Sequence, residues 1–130
     1  MDEENNSTKK WAIDLDGVIS ANPAALSWLT YNLLKNENDN EVYVVTWRDG
    51  SSPIRRAETL KDLDRFGILY TELVMAPSKF KSLRVAAFWK ISQMRKLNID
   101  IWLDDELKAY KRDLGIDIDR LLPNVHKIHI

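Results

Sequence analysis

Short apolar runs recur along this chain, each leading into a polar cluster and then into apolar positions at helical spacing. Residues 11–15 read as a first buried strand, and Asn22-Pro23 starts a helix by setting a side-chain acceptor at the N-cap before a proline in the first turn. Leu26, Leu29 and Leu33 carry that helix to about Lys35. The polar turn 36–40 hands over to a second strand, 41–46, whose core VYVV is apolar and rich in strand-forming residues. Ser51-Ser52-Pro53 repeats the helix-start signal. Ile54, Ala57, Leu60, Leu63 and Phe66 then form the predicted buried stripe, and Gly67 ends the helix. A third strand over 68–76 and a helix over 82–97, with Ala87, Ile91 and Met94 facing inward, come next. A fourth strand over 99–103, a helix over 108–114 closed by Gly115, and a last strand over 126–130 complete the series.

Strands alternating with helices through short connections predict an α/β domain of three layers, with a mostly parallel five-stranded sheet covered on both faces. Right-handed crossovers then place every strand's C-terminal end on one rim. Three of those ends carry polar clusters: Asp14 with Asp16, Thr46 with Trp47 and Arg48, and Asp104 with Asp105. Period-two alternation predicts that Asp14 and Asp16 point to one side with Leu15 opposite, and Gly17 permits the tight turn behind them. Carboxylates crowded in this way need a shared proton or a hard divalent cation such as Mg²⁺.

Composition narrows the classes. The chain has 130 residues, enough for one domain and too few for two of ordinary size. Residues 1–10 offer nothing to bury and read as a disordered lead-in, leaving 11–130 as the single domain. A formal net charge of -1 gives no global field for nucleic acid, so any such contact has to be local. With no cysteine, disulfides, thiolate metal sites and a cysteine nucleophile are excluded. The sequence carries neither a signal-peptide pattern nor a run long enough for a membrane span, so a cytoplasmic location is the expectation.

The order DLDGV, VYVVT, LDDE resembles the haloacid dehalogenase-like phosphohydrolases. DLDGV is similar to the first motif of that family, VYVVT to the second and LDDE to the fourth. The third motif is a lysine, best placed at Lys90 in FWKIS, with Lys79 and Lys81 as alternatives; Val18 stands where the family often has threonine. The resemblance implies a Rossmann-like domain and a Mg²⁺-dependent phosphatase working through an aspartyl-phosphate, with Asp14 as nucleophile and Asp16 as acid and base. Mg²⁺ is then expected on Asp14, the Asp16 backbone and Asp105, with Asp104 orienting a ligand or water. Thr46 and the N-H groups after it would hold the phosphoryl oxygens, helped by the helix starting near Ser52, and Lys90 would balance charge.

The connections leave no room for a cap domain, so the resemblance is to small capless members, whose open sites suit a large substrate such as a nucleic-acid end or a phosphoprotein. Arg48, Arg55, Arg56, Lys79, Lys81 and Arg84 could form a basic rim for a nucleic-acid end, or they are solvated residues scattered on helices. Trp47 is the tryptophan placed in a rim loop, where it could stack on a substrate. Arg48 either contacts substrate or pairs with Asp49. His126 and His129 read as structural. The competing class is a phosphoacceptor or phosphate-binding module without turnover, although the third strand ends in Met75-Ala76-Pro77, with no acid to phosphorylate.

Overall fold

A computed structural model describes residues 8–36 and 38–130. Five strands, β1 (Lys9–Ile13), β2 (Asn40–Asp49), β3 (Glu72–Ala76), β4 (Ile101–Asp104) and β5 (His126–His129), form one parallel sheet in the order β3-β2-β1-β4-β5. Five helices, α1 (Pro23–Leu34), α2 (Pro53–Arg65), α3 (Leu83–Lys96), α4 (Leu107–Leu114) and α5 (Ile118–Leu121), complete a three-layer Rossmann-like fold. β2 and β4 lie on either side of β1, so the chain reverses direction across the sheet between β1 and β4. In such sheets the reversal opens a crevice beyond the strand ends.

Alternation along the strands builds two cores. Ala12, Val45 and Trp102 point to one face, where Ala87, Ile91 and Met94 of α3 and Tyr110 of α4 cover them. Ile13, Val44 and Leu103 point to the other, under Leu26 of α1 and Leu63 of α2. The same parity continues past the apolar segments. Asp14 follows Ala12 and Asp104 follows Trp102, so both acids leave the sheet on the side that α3 covers.

Several elements differ from the sequence reading. β1 starts at Lys9, because Lys9 and Lys10 pair with Asn40 and Glu41 of β2; the part of the expected lead-in at 1–7 lies outside the described residues. Past β1 the backbone is extended at Asp14 and Asp16, turns at Gly17 with φ +90, and closes a loop by hydrogen bonds from the Ile19 and Ser20 N-H groups to the Asp14 and Leu15 carbonyl oxygens, burying Leu15, Val18 and Ile19. β2 runs on to Asp49, with a register shift against β3 between Thr46 and Asp49. Trp47 therefore belongs to a strand rather than to a loop. α2 is also rotated from the expected stripe: Thr59 and Leu63 are buried, whereas Ile54 and Leu60 face solvent. The cause is polar, since Thr59 and Asp62 turn toward β2 to meet the Arg48 side chain. The helix starts themselves agree with the sequence, Asn22 accepting from the Ala25 N-H and Ser52 from the Arg55 N-H.

Candidate active site

Beyond the ends of β1, β2 and β4 lies a cavity of about 310 Å³, lined by Asp14, Asp16, Gly17, Thr46, Trp47, Asp105 and Glu106. Asp14 stands at the end of β1, anchored by its N-H to the Leu103 carbonyl oxygen at 3.0 Å. Lys90 reaches it from the middle of α3. Its Nζ donates to Asp14 Oδ1 at 2.9 Å and to Asp104 Oδ2 at 2.9 Å, and lies 4.7 Å from the centre of the Trp47 ring. The lysine is 1% exposed and Asp104 is fully buried. Asp104 Oδ1 accepts from the Glu106 N-H at 2.8 Å, so each of its oxygens carries a bond.

One ammonium among this many acids leaves excess negative charge. Burial pushes the Asp14 carboxyl from its ordinary 3.8 up to about 7, with Lys90 pulling it down and Asp104 and Asp105 adding to the rise. Burial works against the Lys90 charge, yet Asp104 and Asp14 hold its pKa above the usual lysine value. Glu106 is raised as well, by burial and by Asp105 and Asp104.

Oxygens of Asp14, Asp104 and Asp105 lie within 4.8 Å of one another. Asp105 Oδ1 is buried without a hydrogen-bond partner among the described residues. Beneath that carboxylate, Gly17 has φ +90, and a β-carbon there would stand 2.0 Å from Asp105 Oδ2. Glycine is thus required both by its backbone angle and by the space the carboxylate occupies. A converging set of oxygens with one left unbonded fits a hard divalent ion.

Asp16 is placed differently. Its carboxylate lies outside the three-acid group and is gripped by the Arg48 fork, Nε at 3.0 Å and a terminal nitrogen at 2.8 Å. The other terminal nitrogen of Arg48 donates to Asp62 Oδ2 at 2.8 Å and Thr59 Oγ1 at 3.3 Å. Asp14 and Asp16 line one cavity from extended backbone, with Leu15 packed in the opposite core, but Asp16 turns its carboxylate to Arg48 instead of joining the other acids. Arg48 pairs with Asp16 and Asp62; Asp49 is bonded to Ser51 instead.

Thr46 lines the cavity, almost fully buried, with its Oγ1 accepting from the Arg48 N-H at 3.2 Å. The N-terminus of α2 opens on a neighbouring groove rather than on this cavity, as do Lys79 and Lys81. Of the three candidate lysines, Lys90 is the one brought to Asp14. Trp47 forms a wall shared by cavity and groove, its indole N-H held by the Ala86 carbonyl oxygen at 3.1 Å.

Two groups near the site escaped the sequence reading. Tyr110 is fully buried between Trp47 and Trp102, its hydroxyl has no hydrogen-bond partner among the described residues, and burial together with Asp104 and Asp14 pushes its pKa well up. Glu106 closes the rim beside Asp105; its place directly after the acidic pair was the available signal.

Compared with protein-family models, curated proteins and solved structures, the chain matches none.

Proposed function

We propose that this protein is a Mg²⁺-dependent phosphatase that hydrolyses a phosphate monoester through an aspartyl-phosphate on Asp14. The single observation that carries the reading is the buried Asp14-Lys90-Asp104 array beside an unpartnered Asp105 oxygen, all at the crevice where the sheet reverses. Asp14, Asp105 and, behind them, Asp104 would hold the ion, which supplies charge neutralisation for an anionic ester and its anionic attacker.

The remaining work falls to this chain's own groups. Lys90 takes one Asp14 oxygen and leaves Oδ2 free to attack phosphorus as the ester P-O bond breaks. Its ammonium also offsets charge gathering on the phosphoryl oxygens. Thr46 stands in the same cavity as the hydroxyl available to those oxygens. Water then attacks the aspartyl-phosphate, giving up a proton to Asp16 and restoring Asp14. The Arg48 fork fixes the position of the Asp16 carboxylate for this second half. Protonating an alkoxide leaving group first requires Asp16 to acquire a proton away from Arg48, whereas an aryl oxide leaves without that help. Among the described residues no cap covers the cavity, which suits a phosphate carried on a large molecule.

The test is hydrolysis of an aryl phosphate with and without Mg²⁺, by the native protein and by Asp14→Asn. Turnover that needs Mg²⁺ and vanishes in the variant is expected; turnover retained by the variant would overturn Asp14 as nucleophile. A native protein that binds Mg²⁺ but never turns over any phosphate monoester would instead favour the phosphate-binding module.

A further inference from the structure

A larger cavity lies beside the acidic one. A groove of about 630 Å³ runs between the N-terminal ends of α2 and α3 and shares Trp47 as a wall with the Asp14 cavity. Its charge is opposite to that of its neighbour. Arg48, Arg55, Lys79 and Lys81 line it against one carboxylate, Asp49, which is turned onto Ser51 Oγ at 2.6 Å. Arg48 and Arg55 are already paired, with Asp16 and Asp62 and with Glu58 respectively. Lys79 and Lys81 form no ion pair with another described residue and lie exposed at the mouth. Ser52 and Ser82 cap the two helices at the groove, adding their partial positive ends to the lysine field.

Between the cations the lining is apolar. Phe80, half-buried and packed on Trp89 at 5.6 Å, stands with Trp47 and the exposed Leu83 along the floor. A cationic border around a partly aromatic floor suits a ligand that alternates anionic groups with flat apolar ones. Nucleic-acid strands have that alternation, phosphodiesters meeting lysines while bases stack on aromatic rings. An acidic phosphopeptide offers the charge without the planar groups.

We propose that this groove binds the end of a single-stranded nucleic acid, placing its terminal phosphate monoester over Asp14 with the adjoining nucleotides along Lys79, Lys81 and Phe80. The placement of that terminal phosphate rests on the phosphatase reading; the groove's affinity for the strand does not. The volume is in the range of small-ligand sites, enough for about one or two nucleotides.

The experiment measures anisotropy of a short fluorescein-labelled deoxythymidine oligomer bearing a terminal phosphate, added to Asp14→Asn so that nothing is turned over. Three variants enter that background: Lys79→Ala with Lys81→Ala, Phe80→Leu, and both changes together. Salt-dependent binding is expected, weakened roughly tenfold or more by the lysine pair, with the salt slope reduced by about 0.7 per lysine. Phe80→Leu keeps the packing on Trp89 and is expected to cost about fivefold or more through lost stacking. In the otherwise native protein, the lysine pair is expected to leave aryl-phosphate turnover unchanged. No oligomer binding at low salt, binding indifferent to the lysines, or preference for an acidic phosphopeptide would overturn the groove assignment while leaving aryl-phosphate turnover as it was. Oligomer binding that depends on the lysines, with no turnover by the native protein of either aryl phosphate or the oligomer's terminal phosphate, would support the groove and overturn the phosphatase reading.

Discussion

Two cations in this molecule each stand between two carboxylates, and they have little else in common. Lys90 joins Asp14 and Asp104 on the α3 side of the sheet, where its side chain is 1% exposed. Arg48, its own side chain 8% exposed, joins Asp16 and Asp62 on the α2 side, where the acids are 56% and 26% exposed. In the first, a buried point charge fixes the position of both acids and opposes the rise that burial imposes on the Asp14 carboxyl. In the second, a rigid fork fixes one carboxylate's orientation while solvent shares the charge. The difference teaches where reactivity and mere placement reside: the dry array around Lys90 perturbs Asp14, and the wet one around Arg48 aims Asp16.

Breaking the dry array has the largest expected effect. Lys90→Met leaves Asp14 and Asp104 buried without their cation, and a loss of about 3–5 kcal/mol is expected in denaturant unfolding, together with loss of any turnover. Second comes Gly17→Ala, which forces a β-carbon into the Asp105 carboxylate and a residue with a side chain into φ +90. A cost of about 1–3 kcal/mol is expected from the backbone, and Mg²⁺ affinity should fall at least about tenfold as Asp105 is displaced.

A third expectation concerns pH. The Asp14 carboxyl is raised from 3.8 to about 7 in the folded protein, which therefore holds a proton that the unfolded chain has already lost. The stabilisation is present in full below the unfolded value and disappears as pH rises through the folded one. Without metal, the melting temperature of the native protein should accordingly fall relative to that of Asp14→Asn as pH rises across this window. Added Mg²⁺ should cancel the trend, and parallel melting profiles in its absence would contradict the assignment of the raised group to Asp14.

The smallest stability effect belongs to the wet array. Arg48→Met is expected to cost about 1 kcal/mol or less, while lowering turnover because Asp16 is no longer aimed. A stability loss as large as that of Lys90→Met would erase the contrast between the two arrays.

Much of the inner array was legible in the sequence because strand parity and helical spacing are strict. Asp14 shares parity with Ala12, Asp104 with Trp102, and Lys90 falls on the same helical face as Ala87, Ile91 and Met94, so one layer had to bring them together. The outer array was not legible. Gly17 announces a tight turn behind the two acids, but nothing in the order of Leu15, Val18 and Ile19 announces that Asp16 turns its carboxylate to Arg48. The rotation of α2 was hidden for a related reason: Ile54 and Leu60 suggest a buried stripe, but the polar bonds of Thr59 and Asp62 to Arg48 decide which face meets the sheet. Hydrophobic patterning reports burial; it does not report which polar side chains meet across long separations in the chain.

The most direct test of the acidic cluster is calorimetric titration of Mg²⁺ into the native protein and into Asp105→Asn. One ion per chain for the native protein, accompanied by a raised melting temperature, with neither effect in the variant, is the expected result. A native protein that takes up no Mg²⁺, or a variant that binds it equally well, would contradict the reading of Asp14, Asp104 and Asp105 as a metal centre.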